Sequence, residues 1–171
     1  MIVNIGLPRT ATTSFCEAYR LLGYQVQHGP VTKVDYNRNN LVLADTPWWV
    51  PGTPYRAYHK LVWTYRDYES WEASMLDHFR YCTKQTALHP MDEYCYSSLF
   101  ECYPFPLTKK KLRLGYDKHT RWAEKLVCCR VNLCDKKLSD QHKWSVLIEA
   151  SGKDHVIPHK KFPHKNATGR V

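Results

Sequence analysis

The chain has 171 residues, of which 43% are hydrophobic and 24% are charged, so its composition is that of one folded domain rather than a disordered or fibrous chain. Lysine and arginine number 25 against 16 acidic residues, and the formal net charge of +9 favours a polyanionic partner such as nucleic acid, an anionic membrane surface or a phosphorylated ligand. The 7 cysteines form no CxxC pair and no signal peptide is recognisable, so we expect a reducing, cytoplasmic location. No apolar stretch approaches the about 20 residues of a membrane span, so we expect no membrane span.

Short strands and helices are predicted to alternate along the first half of the chain. The predicted strands lie at residues 1–5, 24–27, 41–44 and 61–65. Their length of about four residues is typical of a buried parallel sheet. Apolar residues at helical spacing beyond Thr12 predict a first helix that ends before Gly23, and Asp67 is the predicted N-cap of a second helix.

The second half begins with a segment that is hard to assign. Residues 83–112 show weak periodicity and contain prolines and a lysine run, which predicts an irregular insertion or an acceptor lid. A helix at 116–126, a strand at 127–133 and a short helix at 144–150 are predicted to follow. The alternation predicts a single α/β domain over residues 1–171, with a mostly parallel central sheet flanked by helices on both faces.

The segment GLPRTATTSF, residues 6–15, joins the first strand to the first helix. Backbone N–H groups and a helix N-terminus converge in such a loop, which makes it a natural anion site. Its Ala11 and Thr12 replace the second glycine and the lysine of the GxxxxGK[ST] pattern, which disfavours a magnesium-dependent kinase. Arg9 and four hydroxyls can donate to oxyanions. The hydroxyls belong to Thr10, Thr12, Thr13 and Ser14. The alternative is a serine- and threonine-rich helix cap with a surface arginine.

This loop resembles the GLPRTGTTS loop of a small branch of the sulfotransferases, which holds the 5′ end of 3′-phosphoadenosine 5′-phosphosulfate (PAPS). Two later segments resemble the same family in the same order. In WTYRDYESWEAS, Arg66 and Ser74 have the spacing of the arginine and serine that bind the 3′-phosphate. The residues FPHKN resemble the closing segment of the branch, which implies that a basic residue of the tail closes over the donor. The tail candidates are Lys161, His164 and Lys165.

The resemblance implies transfer of a sulfuryl group from PAPS to a hydroxyl of a small-molecule or carbohydrate acceptor, with no metal. It assigns the 5′-phosphosulfate to the loop residues Arg9, Thr10, Ala11, Thr12, Thr13 and Ser14. Arg9 would stabilise charge on the leaving phosphate. Ala11 stands where the family has glycine, and a positive φ there would cost of order 1 kcal/mol.

An acceptor hydroxyl needs a base, and two residues at predicted strand ends are candidates. Asp45 occupies the position of a carboxylate in the branch that the chain resembles, and a turn role before Pro47 is its structural alternative. His28 is the second candidate. Nearby aromatic side chains form either an acceptor floor or plain core, namely Trp48, Trp49, Tyr55 and Tyr58.

Two other function classes stay open. A P-loop phosphotransferase or nucleotide kinase predicts magnesium dependence. A basic nucleic-acid-binding protein with a degenerate P-loop predicts binding that weakens steeply with salt. Aromatic and basic residues are not interleaved in the way that supports nucleic-acid binding, so nucleic acid is the less favoured partner.

Overall fold

A computed structural model describes residues 1–29, 40–53, 55–56, 59–82, 90–100, 108–126 and 128–164. Within these residues the strands are β1 (Ile2–Asn4), β2 (Gln25–His28), β3 (Leu41–Ala44), β4 (Lys60–Thr64) and β5 (Cys129–Val131). They form one sheet in the order β2-β3-β1-β4-β5, and every neighbouring pair is parallel. The predicted α/β fold with a parallel central sheet is confirmed.

Helices cover both faces of this sheet. The described helices are α1 (Thr12–Leu21), α2 (Tyr68–Cys82), α3 (Pro90–Phe100), α4 (Lys109–Ala123) and α5 (Asp140–Ser151). Successive strand residues point to opposite faces, so the central strands β3, β1 and β4 contribute to two apolar layers. Val42 packs with α1 and α5 on one face, whereas Leu43 packs with the end of α4 on the other.

The strand order creates a switch point at the centre of the sheet. β1 lies between β3 and β4; the chain leaves β1 toward β2 on one side, and it leaves β4 toward β5 on the other. Connections that diverge in this way open a crevice at the carboxyl ends of the two strands, where ligands bind in open α/β sheets. The loop after β1 and the segment after β4 therefore meet at this edge.

The segment 83–112 differs from the irregular insertion that its sequence predicts. Helix α3 begins at Pro90 and α4 begins at Lys109, so the lysine run forms the first turn of a helix. Thr108 caps that turn, because its Oγ1 accepts a hydrogen bond from the backbone N–H of Lys111 at 3.2 Å. Gly115 lies against the ring of Phe100, which lets α3 and α4 approach closely. The prediction of irregular structure was wrong for these two stretches.

Other boundaries agree more closely with prediction. Asp67 caps α2, since its Oδ1 accepts from the backbone N–H of Ser70 at 2.9 Å. Hydrogen bonding by the Ser70 side chain, and secondly by this backbone N–H, lowers the pKa of Asp67. Helix α5 starts at Asp140, four residues before its predicted start, because Ser139 caps it. None of the described helices is long and apolar enough to cross a membrane.

Candidate functional site

A buried polar network fixes the loop between β1 and α1. The side-chain oxygen of Asn4 accepts from the backbone N–H of Gly6 at 2.7 Å and from the Thr64 hydroxyl at 3.0 Å. The Thr10 hydroxyl lies 3.0 Å from the Thr64 hydroxyl. A Cβ atom on Gly6 would overlap the hydroxyl and the carbonyl oxygen of Thr64, so only glycine fits there. Asn4 and Thr64 were missed as site residues; their signal was a polar side chain inside or ending an apolar strand.

The backbone at this edge is strained at three predicted site residues. Arg9 and Ala11 each have φ 69°, and Asp45 has φ 73°. These are the non-glycine residues of the described chain that have positive φ. Residues in this region cost of order 1 kcal/mol or more and are concentrated at functional sites. Ala11 therefore has the positive φ whose cost was considered from the sequence.

Arg9 connects the loop to the segment after β4. Its Nε donates a hydrogen bond to Oγ of Ser74 at 3.2 Å, and the indole N–H of Trp71 donates to the Pro8 carbonyl at 2.9 Å. Arg66 lies two residues beyond β4 and is half-buried; its carbonyl accepts from the Tyr116 hydroxyl at 2.7 Å. The two segments that resemble donor motifs are thus direct neighbours, although Arg9 and Ser74 are 65 residues apart in sequence.

The first turn of α1 carries the loop hydroxyls. Thr12 and Ser14 are buried and Thr13 is half-buried. Ala11 is the N-cap and supplies no side-chain hydrogen bond, and the first turn of α1 contains no acidic residue. The first N–H groups of a helix have no partner within the helix and form its positive end. This helix end is therefore suited to an anion.

His28 and Asp45, the two alternative candidates for the base, are in contact with each other. In the β2–β3 ladder His28 lies opposite Ala44, which places it beside Asp45. Nε2 of His28 is 3.5 Å from Oδ2 of Asp45 and 3.3 Å from Oγ1 of Thr12. Each of the two titratable side chains is 27% exposed, so both can reach solvent or a ligand. The pair borders the loop at the start of α1.

Residues 1–44 match the family model for a sulfotransferase domain. The matched segment runs from β1 through the loop and α1 to the end of β3, which is 44 of the 171 residues. It includes His28 but ends one residue before Asp45, and it does not reach Arg66 or Ser74. No curated protein matches the chain significantly.

The tail that resembles the closing segment of small sulfotransferases is anchored on α5. Phe162 is 1% exposed and packs against Trp144, whose indole N–H donates to the Lys160 carbonyl at 3.1 Å. His164 lies 3.1 Å from the Asp140 carboxylate at the start of α5. The predicted tail residues do not bond to the loop in the described structure. Lys161 is exposed, His164 is held by Asp140, and Lys165 lies outside the described residues.

The aromatic residues after Asp45 belong to the core rather than to an open floor. Trp49 is fully buried among aromatic side chains of α3, including Phe100. Trp48 is also buried, and the Tyr55 hydroxyl donates to its carbonyl. Burial raises the pKa of Tyr55 well above its ordinary value. Tyr58 lies outside the described residues. Across the described part of the chain, no group of three or more His, Cys, Asp or Glu residues could hold a metal ion.

Proposed function

We propose that the chain is a sulfotransferase that moves a sulfuryl group from PAPS to a hydroxyl of a small-molecule or carbohydrate acceptor. The observation that carries this proposal is the hydrogen bond from Arg9 to Ser74, because it joins the two segments that resemble the two donor motifs. The sulfotransferase-domain match over the first of these segments supports it.

The donor carries two anionic groups, and the crevice offers an arginine to each. The first turn of α1, with Thr12, Thr13 and Ser14, would bind the 5′-phosphosulfate. Arg66 and Ser74 would bind the 3′-phosphate. On donor binding, the Arg9 guanidinium would bind an oxyanion, which attracts this cation more strongly than the neutral hydroxyl of Ser74 does.

The reaction breaks one bond and forms another at sulfur. The acceptor oxygen attacks sulfur, and the bond from sulfur to the 5′-phosphate oxygen breaks, which yields a sulfate ester and adenosine 3′,5′-bisphosphate. Negative charge builds on the leaving phosphate, as in phosphoryl transfer. Arg9 and the N-terminus of α1 would stabilise that charge through donors that are already in place.

The acceptor proton would pass to Asp45, with His28 as its neighbour. The contact between Nε2 of His28 and Oδ2 of Asp45 would orient the carboxylate beside the loop. The same His28 nitrogen contacts Thr12, so the pair lies next to the proposed phosphosulfate site. Helix α3 would cover the acceptor side, because its aromatic side chains Tyr96 and Phe100 pack on Trp49, four residues after Asp45.

The test is turnover with PAPS and a panel of phenols, alcohols and sugars, followed as release of the bisphosphate. Asp45→Asn should leave bisphosphate binding within about twofold and reduce turnover by roughly 10² to 10⁴. Asp117→Asn is the matched control, since Asp117 is partly exposed on α4 and pairs with Arg113. Normal turnover by Asp45→Asn would refute its role as base. Phosphoryl transfer from ATP with magnesium, without use of PAPS, would instead support the phosphotransferase alternative.

A further inference from the structure

Arg9 occupies a turn position that glycine usually fills. The backbone N–H of Thr10 donates to the Leu7 carbonyl at 3.2 Å, and the Thr10 hydroxyl donates to the same oxygen at 2.6 Å, so residues 7–10 form a closed turn. Pro8 is the second residue of this turn, and Arg9, with φ 69°, is the third. Both are features of a type II turn, whose third residue has positive φ and is commonly glycine. The turn therefore imposes a strained backbone on the arginine of the candidate site.

The orientation of the peptide between Pro8 and Arg9 decides between this turn and the commoner type I turn. Both types keep the hydrogen bond between the first and the fourth residue. They differ by a rotation of the central peptide by roughly 180°, after which the third residue has negative φ. An arginine by itself favours the type I turn, which accepts most residues. Because Thr10 closes the turn in either case, the group that holds the Pro8 carbonyl determines the backbone of Arg9.

Helix α2 holds the Pro8 carbonyl through a buried tryptophan. The indole N–H of Trp71 donates to this carbonyl at 2.9 Å, and Trp71 is 0% exposed. The indole is stacked on the ring of Phe100, which fixes its position. Rotation of the peptide would leave the buried indole N–H without an acceptor, which is costly. Ser74, one turn further along α2, accepts from Nε of Arg9 at 3.2 Å, so one face of α2 contacts both the backbone before Arg9 and its side chain.

We propose that Trp71 is a positioning residue for Arg9. Its indole N–H fixes the Pro8 carbonyl and thereby keeps Arg9 in the left-handed conformation. A strained residue persists where the surrounding structure over-determines it, and this hydrogen bond supplies such a constraint. The role in the reaction rests on the proposed function, in which Arg9 stabilises charge on the leaving phosphate. Trp71 acts on that charge through Arg9 alone.

Comparison of glycine with alanine at position 9 measures the positive φ directly. Both variants lack the guanidinium, so they differ in the backbone alone. Arg9→Gly should melt about 1 to 4 °C above Arg9→Ala, because alanine is strained at positive φ and glycine is not. When Trp71→Phe is added to both, the indole N–H is lost and the turn can relax, so this difference in melting temperature should disappear or reverse.

Trp144→Phe is the matched control for this comparison. Trp144 is 1% exposed, and its indole N–H donates to the Lys160 carbonyl at 3.1 Å, so the change removes the same volume and the same kind of bond away from the loop. The difference between Arg9→Gly and Arg9→Ala should persist with Trp144→Phe. An unchanged difference with Trp71→Phe, or its loss with both tryptophan changes, would overturn the proposal. If Trp71→Phe does not fold, 3-benzothienylalanine at position 71, which has tryptophan's shape but sulfur in place of the N–H, replaces it with the same expectations.

Turnover with PAPS tests the link to the reaction. Trp71→Phe should lower kcat by roughly 10- to 100-fold and change KM for PAPS less, because Arg9 acts on charge that develops in the transition state. In the Arg9→Ala variant, which lacks the guanidinium, the same change should lower kcat by less than about twofold. Equal losses in the two backgrounds would overturn the action through Arg9. Failure of the wild type to use PAPS would overturn the proposed function, whereas the melting comparison would still decide whether Trp71 fixes the backbone of Arg9.

Discussion

Replacing Ala11 with glycine should stabilise the protein, although the same change weakens most helices. Ala11 is the N-cap of α1 and has φ 69° and ψ 31°, the left-handed region. An L-residue there costs about 1 to 2 kcal/mol, and glycine avoids this cost but loses about 0.5 to 1 kcal/mol through its freer unfolded chain. The net gain in free energy of unfolding should be about 0.5 to 1 kcal/mol. Glycine is also a better N-cap than alanine, which favours the same sign.

Ala73→Gly is the matched control for this change. Ala73 is exposed in the middle of α2, so glycine there should cost about 1 kcal/mol of helix propensity without loss of packing. Urea unfolding of both variants, compared at equal m value, measures the two effects. Changes of opposite sign in the free energy of unfolding of the two variants, separated by about 1.5 to 2 kcal/mol, would support the left-handed backbone at Ala11. Equal destabilisation by the two changes would refute it.

Three further changes test other parts of the account. Arg66→Ala should weaken adenosine 3′,5′-bisphosphate by roughly 1.5 to 3 kcal/mol and 5′-AMP very little in calorimetric titration, and equal losses would count against a 3′-phosphate contact. Gly6→Ala should lower the free energy of unfolding by about 2 to 3 kcal/mol in urea, because its Cβ would overlap Thr64; a neutral effect would contradict the close approach. Burial lowers the pKa of His119 to about 4, despite its hydrogen bond to the Ile5 carbonyl at 2.8 Å. Because the unfolded chain takes up that proton near pH 6.5, stability should be full above this pH and fall by roughly 3 kcal/mol as pH drops toward 4; the His119→Gln variant should show a correspondingly shallower loss, and an identical profile would refute the assignment.

The first half of the fold could be predicted because its signals are local. A β-branched run, a glycine and helical spacing after Thr12 define β1, the loop and α1. Helix α3 and the first half of α4 were missed, whereas the second half of α4 agrees with the helix predicted at 116–126. Gly115 disfavours a helix by propensity, yet it is needed where the Phe100 ring packs between α3 and α4. The sequence alone does not reveal that contact.

The sequence predicts individual site residues, but it does not predict which of them contact each other, because those contacts depend on the pairing of the strands. His28 and Asp45 could be proposed from their places after strands, but their 3.5 Å contact depends on β2 pairing with β3. The contact between Arg9 and Ser74 likewise depends on β1 lying next to β4. The sequence predicts that a basic residue of the tail closes over the donor, but it does not reveal that Phe162 is a core residue, because its partner Trp144 lies on α5.

Thermal unfolding with and without adenosine 3′,5′-bisphosphate tests the central claim most directly. At about 100 times its dissociation constant, the bisphosphate should stabilise the protein by roughly 2.7 kcal/mol, a rise of roughly 5 to 11 °C in melting temperature for a chain of this size. At the same concentration, 5′-AMP should raise the melting temperature much less, because it leaves the Arg66 half of the crevice empty. No rise with the bisphosphate at any concentration, or equal rises with the two nucleotides, would contradict a PAPS-binding site.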